Sequence, residues 1–310
     1  MSPTKSLEAS ALACVALCVL VSLSTAEACS VCGCGDPLAS AGEAHLAAGQ
    51  VRLALDTELL TARARSDDDP AFVEHLTQYT IRPVFAFSPA DILTLVVQIP
   101  VIRKEWSAEA PDNSPISATP TGLGDVDVAA RVFVYTKTRL AQMSRETLAL
   151  TAGSSLPTGD NSVQAQGERL DEHAQLGTGA LGPYAGVLYA FRRDPWNFFG
   201  SVTGRLRLRN GHGYKYGSAL LWSLRGDFRL LDWLSASVSF DGRYAAHDDL
   251  HGTLQENTGG LVLAATPGLK LRMYEELWLY ASAQIPVFTH LFGEQHVGPV
   301  FTASLQYTFQ

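Results

Sequence analysis

The sequence predicts an all-β protein: a transmembrane antiparallel up-and-down β-barrel of about twelve strands, preceded by a signal peptide and a short cysteine-rich segment. Three observations predict it. First, the stretch 122–135, GLGDVDVAARVFVY, alternates strictly from Asp125 onward. Val126, Val128, Ala130, Val132 and Val134 fall on one face; Asp125, Asp127, Ala129, Arg131, Phe133 and Tyr135 fall on the other. Successive strand side chains point to opposite faces, so this is a long strand with an aliphatic face and a charged one. Second, such stretches recur along the chain, and the connections between them alternate long and short. Third, the chain opens with an export signal, yet no later segment reaches the roughly 18 apolar residues of a membrane helix. Mean hydropathy is still +0.06 and only 17% of residues are charged, which suits strands that are apolar on one face.

The elements follow in order. Lys5, the apolar run 11–23 and Ala26-Glu27-Ala28 form a basic start, an apolar core and an A-x-A site. Residues 1–28 are therefore expected to be cleaved, leaving Cys29 at the mature N-terminus. Of five cysteines, Cys14 and Cys18 leave with the signal. Residues 29–49 carry Cys29, Cys32 and Cys34, are rich in small residues and show no β pattern, so they are expected to lie in the periplasm. The barrel is expected over 50–310. Its strands read as roughly 50–62, 72–87, 91–106, 122–137, 145–156, 176–192, 196–209, 216–230, 233–246, 258–273, 277–289 and 297–309. The connections 64–71, 107–121, 158–174, 210–215, 247–257 and 290–296 are mostly long; 88–90, 137–145, 193–195, 231–232 and 274–276 are mostly short. Barrels of outer membranes have short periplasmic turns and longer extracellular loops, and an even strand count returns both termini to the periplasm.

The outward faces agree. Leu220, Trp222, Leu224, Phe228 and Leu230 alternate in one strand, and Leu277, Leu279, Ala281, Ala283 and Ile285 in another. Phe85, Phe87, Tyr189, Phe191, Trp196, Phe198, Phe228, Trp233, Tyr274 and Trp278 gather at the short-turn end, where an aromatic girdle would meet the headgroups. Leu305, Tyr307 and Phe309 share a face of the last strand, a pattern similar to the terminal signal read by the outer-membrane assembly machinery, here followed by Gln310. The expected partners are thus outer-membrane lipid and lipopolysaccharide, that machinery, and a small-molecule solute. A formal net charge of −8 argues against nucleic acid.

Gly122-Leu-Gly-Asp125-Val126, then LALTAGSSLPTGD at 148–160 and QLGTG at 175–179, resemble the outer-membrane barrel family named for the meta-cleavage pathway of phenol degradation. The resemblance spans about 50–310 and excludes the cysteine-rich start. It implies a passive pore or uptake channel and not an enzyme.

Enzyme motifs point the same way. Gly177-Thr-Gly179-Ala-Leu-Gly182 matches a dinucleotide fingerprint in letters, but Pro183 and a β pattern follow where the fingerprint requires a helix. These glycines read as easing the curvature of a barrel wall. No P-loop, His-Glu-x-x-His or Gly-x-Ser-x-Gly occurs in the sequence.

Charged side chains are costly against lipid and should face the lumen. Arg205, Arg207 and Arg209 alternate on one predicted strand, Arg225, Asp227 and Arg229 on the next, then Asp241 and Arg243, then Lys270 and Arg272. The first strand offers Asp56 and Glu58 with Arg52, the fourth Asp125 and Asp127 with Arg131. A mainly basic wall opposite acidic strands gives either a transverse field that orients a polar or anionic solute, or ion pairs that fill a narrow barrel. The expected function is passive passage of such a solute. A structural or assembly barrel with a filled lumen is one alternative.

The other alternative is a metal-binding receptor. His173, His212, His247, His251, His290 and His296 lie in or beside predicted long loops, among Asp171, Glu172, Asp248, Asp249, Glu294 and Asp67–Asp69. Imidazole with carboxylate suits a transition-metal ion; polar loop surface is the plain explanation. Cys29-x-x-Cys32-x-Cys34 lacks the His of a haem site. It admits a disulfide, a soft-metal or redox site with His45, or a lipid on Cys29.

Overall fold

The computed structural model describes residues 45–65, 73–109, 115–165 and 167–309. The predicted signal peptide, the three cysteines Cys29, Cys32 and Cys34, and Asp67–Asp69 lie outside the described residues.

The chain forms a closed antiparallel barrel of 12 strands. They are β1 (Val51–Arg65), β2 (Val73–Ala90), β3 (Leu93–Gln98, resuming at Val101–Glu109), β4 (Thr121–Leu123 with Val126–Arg139), β5 (Ser144–Leu156) and β6 (Gly182–Arg193). Then come β7 (Trp196–Arg205), β8 (Ala219–Leu231), β9 (Leu234–Ala245), β10 (Gly260–Tyr274), β11 (Leu277–Leu291) and β12 (Gln295–Val297 with Val300–Phe309). Each strand pairs with its sequence neighbour, and β12 returns to β1 from Val51↔Phe309 to Leu59↔Phe301. Closure leaves no unpaired sheet edge. Pro100 interrupts β3 because proline has no N–H to give, but the ladder carries past it: Ile99 N donates to Pro83 O at 3.0 Å and Gly124 N to Pro100 O at 2.8 Å.

The side-chain pattern is that of a soluble protein turned inside out. Thr203 is 0% exposed, and Arg131 and Arg205 3%, while Leu224 is 64% and Phe240 62% exposed. Alternation dictates this: the polar residue of each pair faces inward and the apolar one outward. At the short-turn end Tyr189, Trp196, Phe198, Trp233, Tyr274 and Phe309 are exposed. Trp196 stacks on Phe198, and Tyr307 meets Phe309 edge-on at 4.6 Å.

Three expectations change. Trp278 faces the lumen, not the girdle: it sits opposite Arg272 and Gln306, and Leu277 and Leu279 on either side of it cannot share its face. Tyr135 is exposed on the outside, because a bulge between Phe133 and Tyr135 makes Val134 an extra residue and reverses the alternation. The sixth strand begins at Gly182 rather than at 176; residues 176–181 belong to the preceding loop.

That loop, 157–181, folds into the barrel. Leu170 and Ala174 join one buried cluster with Leu76, Trp106 and Ala108 of β2 and β3, and with Ala219, Leu221 and Ala245 of β8 and β9. These strands lie on different sides of the barrel, so the loop bridges the lumen at the long-loop end. At the short-turn end the segment before β1 also turns inward. Leu46, 2% exposed, packs on Ala54, Val84, Ala86 and Val96. Beside it, Phe133, Ala149, Leu188, Ala190 and Phe199 make a third inward cluster.

Gly153 on β5 tests the wall's packing. A Cβ there would lie 2.4 Å from the Val128 carbonyl oxygen and 2.6 Å from Tyr184 Cζ, whereas one at Gly204 meets nothing within 4 Å. Gly153→Ala should lose about 1–3 kcal/mol, and Gly204→Ala should stay within about 0.5 kcal/mol of the parent, in urea unfolding from lipid vesicles.

Candidate functional site

The inward loop is held by the residues of the sequence motifs. Asp125, between the two parts of β4, accepts Gly159 N at 3.0 Å, Thr178 N at 2.8 Å and Thr178 Oγ1 at 2.6 Å. Thr158 Oγ1 donates to Gly124 O and accepts Val126 N, both at 2.9 Å. The Asp160 carbonyl accepts Leu176 N and Gly177 N at 3.0 Å each. The two loop ends touch backbone to backbone: a Cβ on Gly159 would lie 2.6 Å from Gly177 Cα. Gly159 and Gly177 are therefore glycine for close approach, not for curvature of the wall. Asp125, predicted to line the lumen, borders the smaller cavity under the loop and also clasps the loop's base.

Farther in, Lys104 Nζ on β3 donates to the carbonyls of His173 (2.6 Å) and Gln175 (2.5 Å). The Gln175 amide braces the loop, accepting Val163 N at 2.8 Å and donating to Leu170 O at 2.8 Å. Two further loops close over it. Asn210 Nδ2 donates to Glu172 Oε2 at 3.2 Å and Tyr216 OH to Glu172 O at 2.8 Å. Asp248 accepts Tyr214 OH at 2.6 Å and Gly217 N at 2.7 Å, and its Oδ2 lies 3.2 Å from His173 Nε2. Burial opposes charge on His173, but the Asp248 hydrogen bond and the fields of Asp171, Asp248 and Glu74 raise its pKa to about 9. Burial likewise opposes the Asp248 carboxylate, yet the bonds from His173 and Tyr214 hold it below its ordinary range. Burial first, then neighbouring carboxylates, pushes the Tyr214 and Tyr216 hydroxyls up, so both stay protonated donors.

Below this plug lies a cavity of about 640 Å³ that reaches toward the short-turn end. Asp56, Glu58, Arg225, Asp227, Asp241 and Arg243 line it, as sequence alternation places them. The expected acidic and basic walls are largely neutralised nearby. Arg225 Nε lies 2.7 Å from Asp227, and Arg82 lies 3.9 Å from Glu58. Asp241 accepts hydroxyls from Ser223 (2.6 Å), Ser239 (2.9 Å) and Thr266 (2.5 Å), and Ser304 Oγ donates to Asp56 at 2.5 Å. Arg205 reaches Asp127 at 2.7 Å across the two strands between them. Arg207 and Asp127 line a smaller cavity under the plug, and Arg131 is buried on the inner face of β4. Sequence reading missed the aromatic side of this wall: Arg225 lies over the Tyr280 ring at 4.6 Å and Lys270 over Trp278 at 4.9 Å.

Three predicted lumen residues sit at the rims. Arg229 is exposed at the short-turn end beside Asp194 and Asp232. Arg272 is exposed there too, 5.6 Å above Trp278. Arg209 sits at the long-loop end, bonded to Gly213 O and Asp249. Each strand's inward row continues past the lumen, so alternation gives the face and not the depth.

His173 was expected on the outer surface and is instead in the plug, because its loop folds inward. The other histidines are dispersed: His247 stacks on Phe292, His290 meets the same ring edge-on, and His251 lies against Gly213. His212 and His296 remain in their loop and in β12. Among the described residues no three His, Cys, Asp or Glu side chains come together as a metal-holding group. His45 donates through Nε2 to Asp91 O and accepts Arg145 Nη2 on Nδ1 at 2.8 Å.

No protein-family model matches the sequence, and no curated protein matches it. The fold is similar to solved outer-membrane barrels. A crystallised outer membrane channel from Pseudomonas putida F1 superposes with a TM-score of 0.64 at 13% identity, over 89% of this chain and 100% of that one. The translocator domain of the autotransporter NalP from Neisseria meningitidis gives 0.44 at 12% identity, over 86% and 91%. The CymD monoaromatic hydrocarbon channel gives 0.41 at 8%, over 86% and 90%. The first of these likenesses is one of fold.

The plug should be pH-dependent. The His173 contribution is complete below pH 6.5 and is lost as pH rises through about 9; that of Asp248 is present above 3.8 and fades on acidification. Nicking of the 157–181 loop by proteinase K should be slowest between these limits and accelerate through pH 9. His173→Gln should remove the alkaline rise.

Proposed function

We propose that the chain is an outer-membrane channel for passive passage of a small polar or anionic solute, with the short-turn end in the periplasm and the long loops outside. The observation that carries this reading is the charged, hydroxyl-rich cavity of about 640 Å³ inside a barrel whose outer face is apolar. An apolar exterior suits lipid, and a closed sheet is one of the two backbone solutions that satisfy every peptide group there. A lumen of mixed charge, neutralised over short distances, lowers the cost of moving a polar solute without fixing it by one strong field. The inward loop supplies the gate. No catalytic role is proposed.

One observation favours a second reading, a structural barrel with a filled lumen: the cluster around Leu170 and Ala174 spans the barrel. Conductance separates the two. In planar bilayers the protein should give small, discrete steps, and Asp125→Ala, which unclasps the loop, should give larger ones. Silence of both folded proteins would establish the filled barrel.

A further inference from the structure

The cations of this lumen generally have a counter-charge, as Arg82, Arg205 and Arg225 do. Arg145 and Arg192 break that pattern. They are register partners on β5 and β6, with side chains on the inward face at the short-turn end. Like charges directly opposite on neighbouring strands repel. Among the described residues neither guanidinium forms an ion pair with a carboxylate. Arg145 gives Nη2 to His45, and its Nε is buried without a partner. Asp91 attracts Arg145 only from beyond ion-pair distance, its carboxylate being taken by the Ala48 amide at 2.8 Å. Asp227 lies opposite Asn197 on the far side of β7 and is engaged by Arg225. His45 offers no anion. Burial, then the nearby guanidiniums, lower its pKa against the pull of Asp91, so it stays neutral.

Arg192 lines the large cavity, with Asn197 directly opposite it on β7. Leu46 and Phe199 line the same cavity. Among the described residues, a cationic pair without an ion-paired carboxylate thus sits next to an amide and an apolar wall. We propose that this is a binding site for an organic anion with an oxyanion head, such as a carboxylate, and a small apolar body. The head bridges Arg192 and Arg145 and takes the Asn197 amide; the body lies on Leu46 and Phe199. The proposal rests on the channel reading and narrows its solute to this class. Planar guanidinium groups suit a two-oxygen head, and binding removes the repulsion between them.

The test uses the barrel in lipid nanodiscs with valerate, pentan-1-ol and inorganic phosphate as probes, read by ligand-observed NMR. Valerate should bind more tightly than either control. Arg192→Gln and Arg145→Gln should each weaken it roughly tenfold or more, the scale of one charge-assisted contact. Lys270→Gln, placed over Trp278, should leave it unchanged. Without ligand, Arg192→Gln should unfold at a higher temperature than the parent, which a variant that merely failed to fold would not do. Equal binding of valerate by the parent and Arg192→Gln overturns the site. Phosphate binding as tightly as valerate overturns the apolar body, and pentan-1-ol doing so overturns the oxyanion head. Bilayer current decides separately: binding without current removes the channel and leaves the site, and current with unaltered valerate binding in Arg192→Gln does the reverse.

Discussion

The carboxylate of Asp125 holds the arrangement together. A loop drawn inside a barrel takes its peptide groups away from water, and each buried N–H left without an acceptor is costly. Asp125 answers two of them, at Gly159 and Thr178, together with the Thr178 hydroxyl. It can do so only where β4 breaks at Gly124 and frees it from the ladder, and only if Gly159 and Gly177 let the loop ends touch. From that clasp the loop runs inward, and Leu170 and Ala174 find apolar partners on far-separated strands. Without it, the lumen would have open space where it now has a packed cluster.

The barrel thereby acquires two unlike compartments. The long-loop half holds the plug, where an apolar cluster and a set of hydrogen bonds tie the loop to the wall and to two further loops. The short-turn half keeps a cavity whose walls are ionic. Some of its charges are neutralised by a neighbour two residues away or one strand over, as at Arg225–Asp227 and Arg82–Glu58, and Asp56 and Asp241 are met by hydroxyls. Such pairs carry little long-range field, because each dipole is short. Arg145 and Arg192, which among the described residues form no ion pair with a carboxylate, stand apart from these pairs.

How much of this the sequence discloses differs by level. Alternation from Asp125 to Phe133 shows a two-faced strand that a sandwich would share; its recurrence between alternating long and short connections is what points to the closed sheet. It also assigns Asp56, Arg225 and Asp241 to the inner face. Depth is not written in it, which is why Arg229 and Arg272 were expected in the lumen and stand at its rim. Nor does periodicity reveal a loop's direction: the Gly and Asp residues at 122–125, 157–160 and 175–179 are adjacent only once the strands between them have closed. A bulge at Val134 and the inward turn of Leu46 are equally invisible to a two-residue period.

In the proposed channel, a packed plug and a passage make opposite demands on the same loop. Aliphatic contact alone would give a permanent seal, since buried apolar area is insensitive to pH and to most solutes. The plug is also held by His173, Asp248, Glu172 and the two tyrosines, whose bonds depend on protonation and on three separate loops meeting. An interaction of that kind is strong while complete and weak once one member changes charge, because the others are then left buried and unpaired. The apolar cluster is rich in small side chains, with alanines at Ala62, Ala108, Ala174, Ala219 and Ala245. Little apolar surface has to be parted when the loop moves. In the channel proposed above, a thin apolar seal would hold the loop in place and the charge-dependent bonds would act as its latch.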